Sequence, residues 1–277
     1  MVNTRPLNPD ESPAAAFGAE LRSSREAQGI KQTHFALLVG YSNSHISAVE
    51  TGRKLPTLEF ARAVDKALGS GTKFEQLCRS VREQALLEGF PEYAALEARA
   101  VEIRLFENGG IMPGLLQTPD YAAALADAEV ARQAITSEQA AERIAFLTER
   151  QTILKRPTPP VLHVVIDESC LYRKVGGADV MRAQLDRLIE FAALPRTMLQ
   201  VAPYSVAERR PFNLPVRLLT LPDRSMVGYA ESQFQGHLER ERRFVEGVLT
   251  AYYQLQAEVL SHTASVAMIE QVRKGNP

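Results

Sequence analysis

The segment from Gln32 to Gly52 places the tightest demands on what this chain can fold into. Ala36, Gly40, Ile46 and Val49 fall at the spacing that two short helices need in order to cross at a tight turn. A small side chain lets the second helix approach, a glycine permits the left-handed turn, and two apolar anchors hold the second helix to a core. Ser42 stands where its hydroxyl can cap that second helix. Asn43, Ser44, Ser47 and Ala48 are then left near the exposed N-terminal face of the helix, and all are short enough to fit a major groove. Large apolar side chains, which would turn that face into core, are missing from it.

Charge gathers around the same segment. The chain holds 32 basic and 33 acidic side chains, a net charge of −1, which excludes a protein coated all over in positive charge. From Arg22 to Lys54, however, five basic residues (Arg22, Arg25, Lys31, Arg53, Lys54) face two acidic ones (Glu26, Glu50), a local +3. Contacts to phosphate need such a local excess. Gln32 opens its helix, where backbone N–H groups favour a phosphate.

A chain of 277 residues that is 45% apolar exceeds one ordinary domain, so two folding units are expected. Residues 1–13, with Pro6, Pro9 and Pro13, read as a mobile arm. Residues 14–88 read as an all-α bundle of five helices. Its apolar sets are Phe17 and Leu21; Phe35, Leu38 and Val39; Ile46 and Val49; Leu58, Ala61, Val64 and Leu68; and Phe74, Leu77 and Val81. Beyond residue 89 the pattern changes. Strand-like runs at 100–106, 161–166, 198–202, 216–221 and 226–230 alternate with helical patterns at 119–128, 137–155, 179–193 and about 237–260, and one short helix is expected after Ser261. Residues 89–277 therefore read as a mixed α+β domain.

Several groups in this second domain invite a chemical reading. Met112-Pro113-Gly114-Leu115-Leu116-Gln117-Thr118-Pro119-Asp120-Tyr121 is a rigid turn feeding a capped helix, and it could present Met112, Leu115, Leu116 and Tyr121 to a partner or plug the core with its leucines. His163, Asp167, Glu168, Ser169 and Cys170 lie close in sequence, but Asp167-Glu168-Ser169 after an apolar run makes an ordinary helix start. No Gly-x-Ser-x-Gly accompanies them. Gly176-Gly177 reads as a hinge, and Arg143, Arg150 and Arg156 as a solvated, self-paired helix face. Phe244, Val248, Ala251, Tyr252 and Leu255 form an apolar stripe that serves as core or as a dimer seam. Cys78 and Cys170 suit buried thiols, no strong metal signature occurs, and no cofactor motif stands out. With no run of about 18 apolar residues, a cytoplasmic protein is expected.

Glu20 to Gly69 resembles the Xre-type helix-turn-helix domain related to lambdoid phage repressors. The resemblance implies a lambda-repressor-like fold in which Gln32 binds a phosphate while Asn43, Ser44 and the Ala48 position face base edges. It also implies that His45 approaches the DNA backbone and that Thr51, Arg53 and Lys54 flank the second strand. Ala48 departs from the phage pattern, where a longer polar residue often reads a base. Three stretches, "FENGGIMPGLLQTPDYAAALADA", "ERQTILKRPTPPVLHVVIDESCLYRKVGGADVMRAQLDRLIEFAALPRTMLQVAPY" and "MVGYAES", resemble the C-terminal domain of a large group of actinobacterial Xre-type regulators of the Scr type. Members resemble the antitoxin-like half of a two-gene arrangement, so the resemblance implies a small protein partner encoded by a neighbouring gene.

Taken together, these readings lead to a nucleoid-associated transcriptional regulator that is not an enzyme. It is expected to bind double-stranded DNA at a pseudo-palindromic operator through Gln32, Ser42, Asn43, Ser44, His45, Ser47, Ala48, Thr51, Arg53 and Lys54, and to act as a homodimer. The alternative for the second domain is a small-molecule pocket that shifts the DNA-binding equilibrium.

Overall fold

The computed structural model describes residues 13–54, 56–84, 89–231 and 236–275. The chain divides into two compact units, Met1–Leu86 and Leu87–Pro277. The expected arm lies outside the described residues apart from Pro13, which opens the first helix. Proline suits that position, because an N–H in the first helical turn has no partner within the helix.

The first unit is helical: α1 (Pro13–Ala27), α2 (Gln32–Val39), α3 (Asn43–Glu50), α4 (Leu58–Leu68) and α5 (Lys73–Gln84). Its core gathers Phe17 and Leu21 from α1, Phe35 and Val39 from α2, Ile46 and Val49 from α3, Phe60 and Val64 from α4, and Phe74 from α5. One expectation fails on α2. Leu38 is 50% exposed and Leu37 81%, because the buried side of this eight-residue helix is taken by Phe35, Ala36 and Val39. Close approach is strictest at Gly18 on α1, where an added Cβ would lie 2.4 Å from the Val49 carbonyl oxygen and 2.7 Å from that of Glu50. The first helix thus rests directly on the backbone at the end of α3.

The second unit is built on one mixed sheet of β1 (Glu102–Glu107), β2 (Val161–Asp167), β3 (Thr197–Ala202), β4 (Val216–Thr220), β5 (Met226–Glu231) and β6 (Gly236–Glu239). The strand order is β3-β2-β1-β4-β5-β6, with β1, β2 and β3 parallel and the other pairings antiparallel. Around it lie α6 (Phe90–Glu97), α7 (Pro119–Ala131), α8 (Ser137–Gln151), the short α9 (Ser169–Tyr172), α10 (Ala178–Ala192), α11 (Arg242–Glu258) and α12 (His262–Gly275). Ile103, Leu105, Leu162, Val164, Ile166, Leu199 and Val201 face a core completed by Leu185, Leu188, Phe191 and Ile269. Phe106, Val165, Ala202 and Leu218 face the other way, onto Val245, Tyr252 and Leu255 of α11. With both faces covered, β2 reads as a nearly unbroken apolar run.

Three sequence expectations need correcting here. Residues 237–239, expected within a helix, pair with β5, and the helix begins only at Arg242. Phe244 is 48% exposed, and α11 buries Val245 instead. Arg150 does not lie on a self-paired solvated face: its guanidinium donates to both oxygens of the buried Glu97 carboxylate on α6, at 2.8 and 3.0 Å. Glycine at 89 and proline at 91 open α6, a helix the sequence reading passed over.

Candidate functional site

The turn between α2 and α3 forms as its residue types require. Gly40 takes φ 75° and ψ 28°, and its N–H and that of Tyr41 both donate to the Ala36 carbonyl. The Ser42 hydroxyl accepts from the His45 N–H at 3.2 Å, capping α3. Ile46 and Val49 are fully buried and point the same helix inward. Ser42, Asn43 and Ser44 are consequently exposed at its N-terminal end, whereas Ser47 and Ala48 are half-buried.

Beneath this ridge sits a group that sequence reasoning left out of the interface. Glu50 is fully buried, and Arg25 donates to it through one edge of the guanidinium, Nε to Oε1 at 2.6 Å and Nη2 to Oε2 at 3.1 Å. The Gln32 amide donates to Glu50 Oε2 at 2.9 Å, and Arg22 Nε lies 3.6 Å from the same oxygen. Arg25 also donates to the Ile30 carbonyl at 2.7 Å, so a single carboxylate ties α1, α2 and α3 together. The hydrogen bond from Arg25 to Glu50 holds the arginine pKa above its ordinary value, against the opposing effect of burial. Pairing of this kind is what allows a carboxylate to be buried at all.

The network changes the expected role of several residues. Gln32 spends its side-chain amide on Glu50, so only its place at the start of α2 still favours a phosphate. Arg22 and Arg25, part of the local charge excess, face Glu50, whereas Lys31, Arg53 and Lys54 are exposed. Thr51 Oγ donates back to the Ser47 carbonyl at 2.6 Å and accepts from Arg53 Nε at 2.9 Å, which ends α3 and orients Arg53. His45 does not project as a free side chain. Its ring packs on Tyr41 and Phe60, and its Nδ1 lies 3.2 Å from Lys54 Nζ.

In the second unit, the loop read as either a partner contact or a core plug turns inward. Met112, Leu115, Leu116 and Tyr121 are all at least 99% buried in the main core. Side-chain amides clamp the loop above them: Gln184 accepts from the Thr118 N–H and donates to the Leu116 carbonyl, both at 2.8 Å, while Gln151 donates to the carbonyls of Gly114 and Gln117. Of the two readings of this loop, the core plug fits the burial of these side chains, and the amide bonds satisfy the loop backbone above them.

Within the 163–170 cluster His163 stands apart from Asp167, Ser169 and Cys170. His163 and Asp167 lie four residues apart on β2, about 13 Å along the strand. His163 Nε2 lies 3.0 Å from Glu102 Oε1, while Asp167 meets Arg210 at 2.5 Å and accepts from the Ser169 N–H at 3.0 Å. Asp167 thus bonds locally just ahead of α9, whose cap position, Glu168, makes no side-chain cap bond. Burial is the main cause that pushes the Cys170 thiol up to about 12, with Glu107 and Asp167 adding to it. Such a thiol is a poor nucleophile at neutral pH. A cavity of about 50 Å³ beside Asp167, lined by Ala202, Pro203, Tyr204, Val206, Ala207 and Arg210, is far smaller than the roughly 300 Å³ at which ligand pockets begin. Among the described residues no cluster of His, Cys, Asp and Glu could hold a metal ion, and no helix is long and apolar enough to cross a membrane.

These two units match two protein families. Residues 90–271, about two thirds of the chain, match the family described as Domain of unknown function (DUF5753). The chain belongs to the DUF5753 family. Residues 16–73 match the family described as Helix-turn-helix domain, which covers α1 to α4 and supports a DNA-binding regulator. Comparison with curated proteins and with solved structures gave no match in either case. This DUF5753 chain thus joins a helix-turn-helix domain to the mixed-sheet domain that defines its family.

Proposed function

We propose that this chain is a sequence-specific transcriptional regulator of the Xre type, in which α3 reads base edges through Asn43 and Ser44 while Arg53 and Lys54 meet phosphate. The observation that carries the reading is the exposure of Ser42, Asn43 and Ser44 on a helix whose opposite side is anchored by Ile46 and Val49. Short polar side chains on a rigidly held helix start suit a major groove. One such helix reads only a few base pairs, which is the reason for a homodimer on a pseudo-palindromic operator with half-sites about 34 Å apart.

The DUF5753 domain takes the regulatory role in this reading. The sequence resemblance to actinobacterial antitoxin-like regulators supports a small protein from a neighbouring gene as its partner, and a cytoplasmic, non-enzymatic protein. Binding of that partner shifts DNA affinity only if its affinity differs between the DNA-bound and free forms.

Selection from a random-sequence duplex library followed by footprinting tests the reading. A two-fold related site is expected, and a single unpaired half-site would count against the dimer. Asn43→Ala or Ser44→Ala should cut discrimination between selected and random duplex by about 1–3 kcal/mol. Arg53→Ala should weaken both duplexes alike and reduce the salt slope by about 1. Equal behaviour of the two kinds of variant would overturn the assignment of roles. Pull-down of the neighbouring-gene product, set against native mass spectrometry for a co-purifying metabolite, separates a protein partner from a small ligand.

A further inference from the structure

We infer that His45 is a positioning residue, whose neutral imidazole holds the Lys54 ammonium beside the N-terminal half of α3 for contact with phosphate. The inference rests on the DNA-binding reading above and gives His45 a different part in it: the ring acts through Lys54, not by touching the nucleic acid.

Packing fixes the ring first. Its centroid lies 4.6 Å from that of Tyr41 and 5.1 Å from that of Phe60, and Phe60 is fully buried. The ring therefore cannot swing out toward a duplex without opening the aromatic contacts that close this corner of the bundle. The His45 backbone is held as well, its N–H donating to the Ser42 cap.

Hydrogen bonding fixes the tautomer. Lys54 Nζ lies 3.2 Å from Nδ1, and an ammonium has only donors, so Nδ1 accepts and the ring proton sits on Nε2. Nε2 is buried and, among the described residues, has no hydrogen-bond partner. A buried imidazole N–H left unpaired calls for a reason, and the need for an acceptor on the opposite side of the ring supplies one. Of the groups facing the ring, Tyr41 and Lys54 are titratable. Burial lowers the His45 pKa and the Lys54 charge lowers it further, so the ring is neutral at physiological pH and able to accept.

The benefit follows from the chemistry of lysine. An exposed ammonium on a four-carbon stem loses rotamer freedom when it binds a phosphate. Docked on an immobile imidazole, Lys54 has already given up part of that freedom before DNA arrives. Arg53 is held by its near neighbour Thr51 and Lys54 by His45 nine residues earlier, so both cations after α3 are oriented by side chains of α3 or its end.

NMR titration of the His45 ring in the full chain, together with duplex binding, tests the role. The wild-type ring should titrate below the ordinary histidine value of about 6.5, and Lys54→Met should raise its midpoint toward that value. An unchanged midpoint in Lys54→Met overturns the pairing. On a mixed-sequence duplex at low salt, Lys54→Met and His45→Phe should each weaken binding by roughly threefold to tenfold. The double variant should fall within about twofold of Lys54→Met alone, the signature of two groups acting as one. His45→Gln, whose amide oxygen can still accept from Lys54, should restore most of the loss. His45→Phe at full affinity, or a double variant whose losses multiply, overturns the positioning role while the DNA-binding reading stands. A wild-type chain that binds no duplex at all overturns that reading and this role with it. Should His45→Phe fail to fold, the Lys54→Met titration decides by itself.

Discussion

Ser42 in the first unit and Thr118 in the second cap their helices with the same geometry, each accepting at 3.2 Å from the N–H three residues on, yet their surroundings differ. After Ser42 comes a helix whose inward anchors, Ile46 and Val49, lie a turn further along, leaving the first residues of α3 facing outward. Before Thr118 stand Leu115 and Leu116, and three residues after it Tyr121, all drawn into the core. The polar clamps differ in kind too. In the first unit a buried carboxylate gathers Arg25 and Gln32 beneath the ridge, and in the second neutral amides, that of Gln151 and that of the fully buried Gln184, hold the loop's own backbone. A cap therefore announces where a helix begins. Which way it faces depends on where the nearest large apolar side chains stand.

Substitutions can break each half of this contrast. The largest effect is expected from Glu50→Ala, which leaves the Arg25 guanidinium buried without its main partner and should cost the first unit about 3–5 kcal/mol in denaturant unfolding. A loss typical of a surface site, under about 0.5 kcal/mol, would mean that the carboxylate is not the hub described here. Next comes Leu115→Ala, expected to destabilise the second unit by about 2–5 kcal/mol as a core truncation. If thermal unfolding were unmoved and only partner capture were lost, the loop would be a docking surface after all. The smallest pair is Ser42→Ala and Thr118→Ala, each expected to cost about 1 kcal/mol of stability through loss of the cap. Only the first should also reduce DNA affinity, and equal effects on binding would erase the distinction between the two helix starts.

Much of the first unit was legible because its constraints are local. Ala36, Gly40, Ile46 and Val49 sit within fourteen residues, and each position depends mainly on the turn between two helices. Glu50 could be set apart from the reading face, but its partners could not be named, because Arg25 comes from α1, twenty-five residues earlier. The same limit applies to His45, since its neighbours Phe60 and Lys54 come from later in the chain. In the second unit the principal strands could be read from their apolar runs, whereas β6 could not. Four residues with mixed polarity carry no periodicity of their own, and only pairing with β5 makes them a strand. Arg150 misled for a related reason, as spacing along α8 cannot reveal a carboxylate on α6.

The glycine at position 18 has a consequence for how such a regulator can be controlled. With no room for even one methyl group between the first helix and the carbonyls closing the third, α3 is keyed to its scaffold at backbone level. Tilting it alone would prise apart main-chain atoms already in contact. On the reading proposed above, a signal that shields the first unit or shifts it bodily meets less resistance than one that bends α3 alone.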